Sequence, residues 1–265
     1  MKQNSFLEQI ELLTIDRIKQ RKQILSLESL KKENFHHKIL SFESCLQSSK
    51  LPLIIAEVKK SSPSLGAINQ SINATELAIK YFKAGAMAVS VLTEPSYFGG
   101  DTETLIQIRK INQEIPLLQK DFVIDPYQIY EARYLGADCV LLIVALLGKV
   151  KTLEFLHIAD SLGLSVLVEV HNEEELEIAL SLPCKIIGIN NRNLHTLEIS
   201  LNTSRKLIKK MNREVFVISE SGIENADEIK ELQSLGFNAF LIGSSLMKTK
   251  EPDQKLRQIC AEIKQ

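Results

Sequence analysis

Eight apolar runs rich in β-branched residues recur along this chain, and most are followed by a turn and an amphipathic stretch of helical period. The runs span residues 53–59, 86–93, 116–120, 139–144, 165–170, 186–190, 215–220 and 239–243. Helical patterns occupy 125–135, 152–162, 173–181, 203–211, 226–235 and 253–264. A strand apolar along its whole length is buried on both faces. Alternation of such strands with helices therefore demands a parallel sheet covered by helices.

The punctuation agrees with that reading. Gly85, Gly136, Gly163 and Gly236 stand where helices should end, and Asn225-Ala226-Asp227-Glu228 offers a cap and an acidic first turn. Eight strand–helix units in 265 residues fit a (β/α)8 TIM barrel, a fold of about 250 residues. An open doubly wound sheet is the alternative, but it would need fewer strands and a glycine-rich dinucleotide fingerprint, which is missing.

Before the first strand, residues 5–47 read as helices. Phe6, Leu7, Ile10, Leu13, Ile15 and Ile18 approximate an apolar stripe, with Arg17, Lys19, Arg21 and Lys22 on the other side. Leu27, Leu30, Phe35, Ile39 and Phe42 continue in a second helical piece. The expected organisation is one structural domain: an N-terminal helical extension over 1–48 packed on a catalytic barrel over 49–265.

A formal net charge of -1 carries no electrostatic footprint for nucleic acid or an anionic membrane. The N-terminus leads into charged amphipathic sequence, not a signal-peptide core, and no apolar stretch could span a bilayer. A cytoplasmic protein is expected. Cys45, Cys139, Cys184 and Cys260 are too dispersed for a metal or redox pair, and Cys139 and Cys184 read as buried thiols. His36-His37 cannot chelate from one helix face, while His157, His171 and His195 are isolated, so no metal site is expected. No exposed apolar seam is strong enough to imply a firm dimer. A monomer or weak homodimer is expected.

Several of the apolar runs end on polar side chains. Residues two apart in a strand share a face, so Glu57 and Lys59 point the same way; taken alone they read best as a solvated rim pair. Lys120 follows Leu118 on its face, Glu169 follows Leu167, and Asn190 follows Gly188, where a missing side chain leaves room for a ligand. In a barrel these ends converge on the C-terminal face. Lysines and glutamates sharing one pocket shift each other's proton affinities, as acid–base catalysis requires. Ser219-Glu220-Ser221-Gly222-Ile223 and Ile242-Gly243-Ser244-Ser245-Leu246 follow the last two strands. Small residues there expose backbone N–H groups where barrel enzymes frequently bind phosphate. Ser61-Ser62-Pro63-Ser64 adds hydroxyl donors after the first strand.

The segment Ala56-Glu57-Val58-Lys59-Lys60-Ser61-Ser62-Pro63-Ser64 closely resembles the first-strand signature of indole-3-glycerol-phosphate synthases. The likeness runs on through Tyr97-Phe98-Gly99-Gly100, Lys120-Asp121-Phe122, Leu167-Val168-Glu169-Val170-His171, Gly188-Ile189-Asn190-Asn191-Arg192-Asn193-Leu194 and Ser219-Glu220-Ser221-Gly222-Ile223. It extends to Met247 and covers most of the chain in order. The resemblance implies conversion of 1-(2-carboxyphenylamino)-1-deoxyribulose 5-phosphate to indole-3-glycerol phosphate, CO2 and water, in tryptophan biosynthesis and without a cofactor. It makes Lys120 the general acid on the ribulose carbonyl. Lys59 would contact the substrate carboxylate, and Glu169 would take part in proton transfer as water leaves. Glu57 and Asn190 would orient these lysines and the substrate hydroxyls, and Glu220 is a further active-site carboxylate. Ser62, Ser221, Gly222, Gly243 and Ser244 fall on phosphate-binding positions. Phe98, Phe122 and Leu141 fall on the wall around the anthranilate ring, with Arg192 near it.

Two positions depart from the pattern. Leu65 sits where many members carry lysine, and Ser200 where an acidic residue often ends the Asn-Arg-Asn-Leu segment. The second barrel of fused members is lacking, so one activity is expected. Two rival readings are another sugar-phosphate barrel isomerase, which would not need the paired lysines and glutamates, and a catalytically silent phosphometabolite-binding barrel.

Overall fold

The computed structural model describes residues 6–35, 37–48, 53–62, 66–67, 72–194 and 196–264. Of the positions singled out above, His36, Pro63, Ser64, Leu65, His195 and the side chain of Ser62 lie outside the described residues.

The described residues form a closed barrel of parallel strands. In chain order these are β1 (Leu53–Val58), β2 (Ala88–Leu92), β3 (Leu117–Lys120), β4 (Cys139–Ile143), β5 (Ser165–Val170), β6 (Ile186–Asn190), β7 (Phe216–Glu220) and β8 (Ala239–Ile242). Each pairs with its sequence neighbour, and β8 closes on β1 from Leu53↔Ala239 to Ala56↔Ile242. The period-two alternation splits every strand. Ile54, Ala56, Val58, Val89, Val91, Val140, Leu142, Val166 and Val168 pack outward under the helices. Ile55, Ala88, Leu118, Cys139, Leu141, Leu167, Ile186 and Ile218 fill the barrel. The register then sets polar ends level with one another: Ile143 lies opposite Glu169, Glu169 opposite Gly188, and Asn190 opposite Glu220.

Most expected helices occur within two residues of their predicted bounds, including Pro126–Leu135, Glu173–Leu180, Ala226–Ser234 and Pro252–Glu262. Two differ. Val144–Ser161 begins directly off β4, well ahead of the predicted start, and breaks at Gly148, whose φ of 63° and ψ of -179° interrupt the helical path. Thr152 Oγ1 bridges the break by donating to the Gly148 carbonyl at 2.6 Å. Asn202–Leu207 ends early, in a 3-10 turn over Ile208–Lys210.

The extension corrects the sequence reading in two ways. Its helices are α1 (Phe6–Ile24), α2 (Leu27–Lys32) and α3 (Phe42–Gln47); the second helical piece is therefore two short helices. On α1, Leu13 and Ile15 are exposed, and the buried positions are Ile10, Thr14 and Ile18, four apart. The basic residues do not simply face solvent. Arg17 donates to Asp121 at 2.5 Å, Arg21 to Glu131 at 2.7 Å and Lys22 to Asp125 at 2.8 Å. Only Lys19, paired with Asp16 at 3.4 Å, remains on an open surface. The barrel offers acidic groups to this side of α1, and charge complementarity fixes its rotation where the narrow apolar stripe leaves it loose. Phe42 and Leu46 of α3 join the barrel's inner core beside Ile55, Ala88, Cys139, Ile186 and Ala239, mostly from strand starts, and so close the N-terminal end. Leu40 N donates to Asp138 at 2.9 Å and Phe42 N to Ser165 Oγ at 3.1 Å, fastening this plug. No helix of the described residues is long and apolar enough to cross a membrane.

Candidate active site

The inward polar side chains meet at the C-terminal end of the barrel, around a cavity of about 180 Å³. Every site residue expected from the sequence whose side chain is described lines it. Lys120 is the centre. From the end of β3 its Nζ donates to Glu220 Oε2 at 2.7 Å and to Glu169 Oε2 at 3.2 Å, joining three strands. Lys59 donates to Glu57 Oε1 at 2.6 Å, and both side chains are buried. The solvated rim pair is thereby ruled out.

Two glycines make this packing possible, and one corrects an expectation. A Cβ at position 188 would lie 2.1 Å from Glu220 Oε1, so the space beside Gly188 holds the Glu220 carboxylate and not a ligand. A Cβ at position 243 would lie 2.2 Å from Glu57 Oε1 in the same way. Any side chain at either glycine would displace an acid of the cluster. Glu220 Oε1, buried against Gly188, has no hydrogen-bond partner. A buried carboxylate oxygen without a protein partner calls for an explanation, and a catalytic role is one.

Charge states follow from these contacts. Burial opposes the charge on Lys120, but Glu220, Glu169 and Glu57 outweigh it and hold the ammonium above its ordinary proton affinity. The two carboxylates flanking it are pushed apart. Burial raises Glu220 from 4.5 to about 7, with the Lys120 charge only partly offsetting it. Burial also opposes ionisation of Glu169, yet Lys120, His171 and the Asn190 amide together bring it well below the usual carboxylate range. Glu57 is likewise lowered: Lys59, Lys120 and Arg192 overcome the cost of its burial. Paired acids whose environments separate their proton affinities are what proton transfer in both directions requires.

The rest of the cavity is divided by polarity. Phe98 and Phe122, with ring centroids 6.1 Å apart, and Leu141 line an apolar wall. On another part lie Ser221, Gly222, Gly243 and Ser244. Ser221 and Gly222 both take positive φ, 67° and 82°, a conformation costly for serine and concentrated at functional sites. Ser245 also lines the cavity, with its hydroxyl donating to the Ile223 carbonyl at 2.8 Å. Arg192 is anchored beside Asn190, whose Oδ1 accepts the Arg192 backbone N–H at 3.0 Å.

A family model described as indole-3-glycerol phosphate synthase matches residues 7–259. The chain belongs to the indole-3-glycerol phosphate synthase family. Relatives bearing that name include one from Legionella pneumophila (strain Paris), 42% identical over 98% of this chain and 100% of its own. Another, from Caldanaerobacter subterraneus subsp. tengcongensis, is 49% identical over 79% of this chain and 81% of its own. Among solved structures, 3-hexulose-6-phosphate synthase from Salmonella typhimurium aligns with a TM-score of 0.61 at 12% identity, over 80% of this chain and 99% of that one. That likeness shows the fold alone.

Sequence reasoning missed several parts of this synthase-family site. Phe6 of α1 lines the cavity and meets Phe122 edge-on, with centroids 6.2 Å apart. The extension therefore supplies cavity wall as well as packing. Its stripe was visible, but no periodicity could say that its first residue would reach the barrel mouth. Lys248 also lines the cavity, from a position that reads as ordinary surface. Asp121 ties the mouth together: it accepts Arg17 at 2.5 Å, Thr93 Oγ1 at 2.6 Å and the Phe122 backbone N–H at 2.8 Å. Asn191 fastens β6 to β7, donating to Ser219 Oγ at 3.1 Å and to the carbonyls of Glu220 and Ser221 at 3.0 Å. His171, expected to be isolated, lies beside Glu169. At the departure site, Ser200 Oγ accepts the Asn202 N–H at 3.4 Å, keeping a weak contact at the helix start where an acid often stands.

Proposed function

We propose that this cavity carries out the reaction of the family. As an indole-3-glycerol phosphate synthase, a carboxy-lyase of tryptophan biosynthesis, the protein converts 1-(2-carboxyphenylamino)-1-deoxyribulose 5-phosphate to indole-3-glycerol phosphate, CO2 and water. Lys120 acts on the ribulose carbonyl. Attack by the aromatic carbon turns that carbonyl oxygen into an oxyanion, and the ammonium held between Glu169 and Glu220 is aimed where the charge develops. Its raised proton affinity makes it first a fixed positive charge; it gives up a proton only to a base as strong as the nascent alkoxide. Loss of CO2 then neutralises the cationic ring intermediate, with Lys59 contacting the departing carboxylate. Departure of the hydroxyl as water needs a proton donor, and proton return needs an acceptor. Glu169 takes part in that transfer, and Glu220, which stays protonated to higher pH, is the second carboxylate of the relay. Glu57 and Asn190 orient these groups.

The apolar wall of Phe98, Phe122 and Leu141 holds the anthranilate ring, with Arg192 at its edge. Ser62, Ser221, Gly222, Gly243 and Ser244 hold the phosphate, an anchor remote from the reacting atoms whose binding energy positions them. No step transfers electrons to or from a carrier, and the lysines and carboxyl groups of the cluster supply the acids and bases, so the proposed reaction needs no cofactor. The extension over 1–48 and the barrel over 49–265 act as one domain, since α1 supplies both cavity wall and the Arg17–Asp121 tie.

The observation that carries this reading is the Lys120 ammonium bound by two carboxylates of unequal proton affinity beside an aromatic wall. The test is turnover of the authentic anilino-ribulose phosphate by purified protein, followed by indole fluorescence in excess chelator and without nucleotide. Indole-3-glycerol phosphate should accumulate. No product would overturn the assignment, and product only after metal addition would overturn cofactor independence.

A further inference from the structure

His171 has no part in the chemistry above, yet it is the other cation on Glu169. It follows Glu169 by two residues, so it continues the inward face of β5 just past the strand end. Its Nε2 lies 3.1 Å from Glu169 Oε1, out of line for a good hydrogen bond, while Lys120 occupies Glu169 Oε2 at 3.2 Å. The imidazole is fixed from behind by Glu175 of helix Glu173–Leu180: Nδ1 lies 2.9 Å from Glu175 Oε2, and the same oxygen accepts the His171 backbone N–H at 2.8 Å. Asn172 Nδ2 donates to the other Glu175 oxygen at 2.6 Å, so the outer carboxylate is itself held. The side chain of His171 is only 8% exposed and does not line the cavity.

We infer that His171, clamped between Glu169 and Glu175, is a positioning residue that fixes the second oxygen of Glu169 and sets the pH below which the reaction slows. It acts through Glu169 and touches no substrate. Burial alone would strip the imidazole of its proton; the two carboxylates prevent this and bring it from 6.5 up to about 10. Around Glu169 the other charged and polar groups are Lys120 from β3, Glu220 from β7 and the Asn190 amide from β6, with the Glu57–Lys59 pair of β1 beyond Lys120. Lys120 is already shared with Glu220. His171 is therefore the cation that Glu169 does not divide with another active-site acid, and its loss raises the proton affinity of Glu169.

The inference rests on the role proposed for Glu169, which Glu169→Gln tests separately: full turnover in that variant would fail the role and leave the geometry of His171 untouched. For His171 itself, the pH dependence of kcat is compared in the parent, His171→Gln and Glu175→Gln. In His171→Gln the acid limb should move up into the ordinary carboxylate range, because Glu169 loses one of the cations that hold it below that range, with kcat recovering on the alkaline side and KM within about twofold. In Glu175→Gln the acid limb should stay in place, because His171 is still cationic at acidic pH. A merely structural clamp would instead lower kcat evenly at all pH in both variants. An unmoved acid limb in His171→Gln, or equal and pH-independent losses in both, overturns the inference. Should His171→Gln not fold, imidazole proton resonances of the parent give an independent reading, with the His171 signal identified by its displacement in Glu175→Gln. That imidazole should titrate clearly above the ordinary 6.5; a midpoint at or below 6.5 overturns the inference.

Discussion

Asp138 and Glu220 are carboxylates buried at opposite ends of the same barrel, and they are finished differently. Asp138, at the start of β4, accepts the N–H groups of Leu40 at 2.9 Å and Leu117 at 2.8 Å and pairs with the buried Arg109 guanidinium. Both of its oxygens are used, and one of those contacts comes from the extension. Glu220, at the end of β7, spends one oxygen on Lys120 and leaves the other without a partner against Gly188. Burial pushes the proton affinity of both upward. Only at Glu220 does an adjoining cavity give a shifted proton somewhere to go. A buried acid by itself says little about function; one that shares a lysine and lines an open cavity says much more.

That contrast can be broken most directly at Lys120. Lys120→Met should lower kcat by roughly 10²–10³-fold with little change in KM, measured by indole fluorescence. A near-normal kcat would reduce the cluster to packing, like its counterpart below. Gly188→Ala is next. The added methyl must displace the Glu220 carboxylate, and misplacing a reacting group by about 1 Å can cost about 10²-fold in rate. The same variant with normal kcat would show that the position of Glu220 is immaterial.

At the other end, Asp138→Ala strands Arg109 and two backbone donors in the interior. It should lower unfolding free energy by about 3 kcal/mol in urea titrations while leaving kcat of the folded protein nearly unchanged. A large loss of kcat at unchanged stability would erase the division between the two ends. The smallest effect concerns pH. The folded-state affinity of Glu220 is raised, so the native protein binds this proton more tightly than the unfolded chain. Its contribution to stability is complete below 4.5 and is lost as pH rises through about 7. Glu220→Gln removes that decline. The variant should gain stability relative to the parent across this window, even as its turnover falls, and parallel pH–stability curves would contradict the stated cause.

Much of this site was legible before any coordinates. Lys120, Glu169 and Glu220 each end an apolar run, and in a parallel barrel strand ends of one polarity converge. Gly188 was legible only as a gap. That Glu220 fills it depends on β6 and β7 being neighbours in a particular register, with Gly188 beside Ile218 and Asn190 beside Glu220. Leu13 and Ile15 were wrongly placed on the buried face of α1 because each lies three residues from a buried isoleucine, Ile10 or Ile18, whereas Thr14 lies four from both. The deciding partners, Asp121, Asp125 and Glu131, lie a hundred residues away. Phe6 and His171 were missed for the same reason: each becomes part of the site through a contact that local pattern does not encode.

The order of apolar runs, their period-two alternation and the capping glycines determined the barrel, because burial on two faces admits little else. The polar residues at the run ends determined which end would carry chemistry. Tertiary structure decided how the charges combine. Which carboxylate shares Lys120, which stays protonated and which oxygen is left alone depend on distances of a few ångströms between strands, where Coulomb and desolvation energies change steeply and sequence spacing has no say.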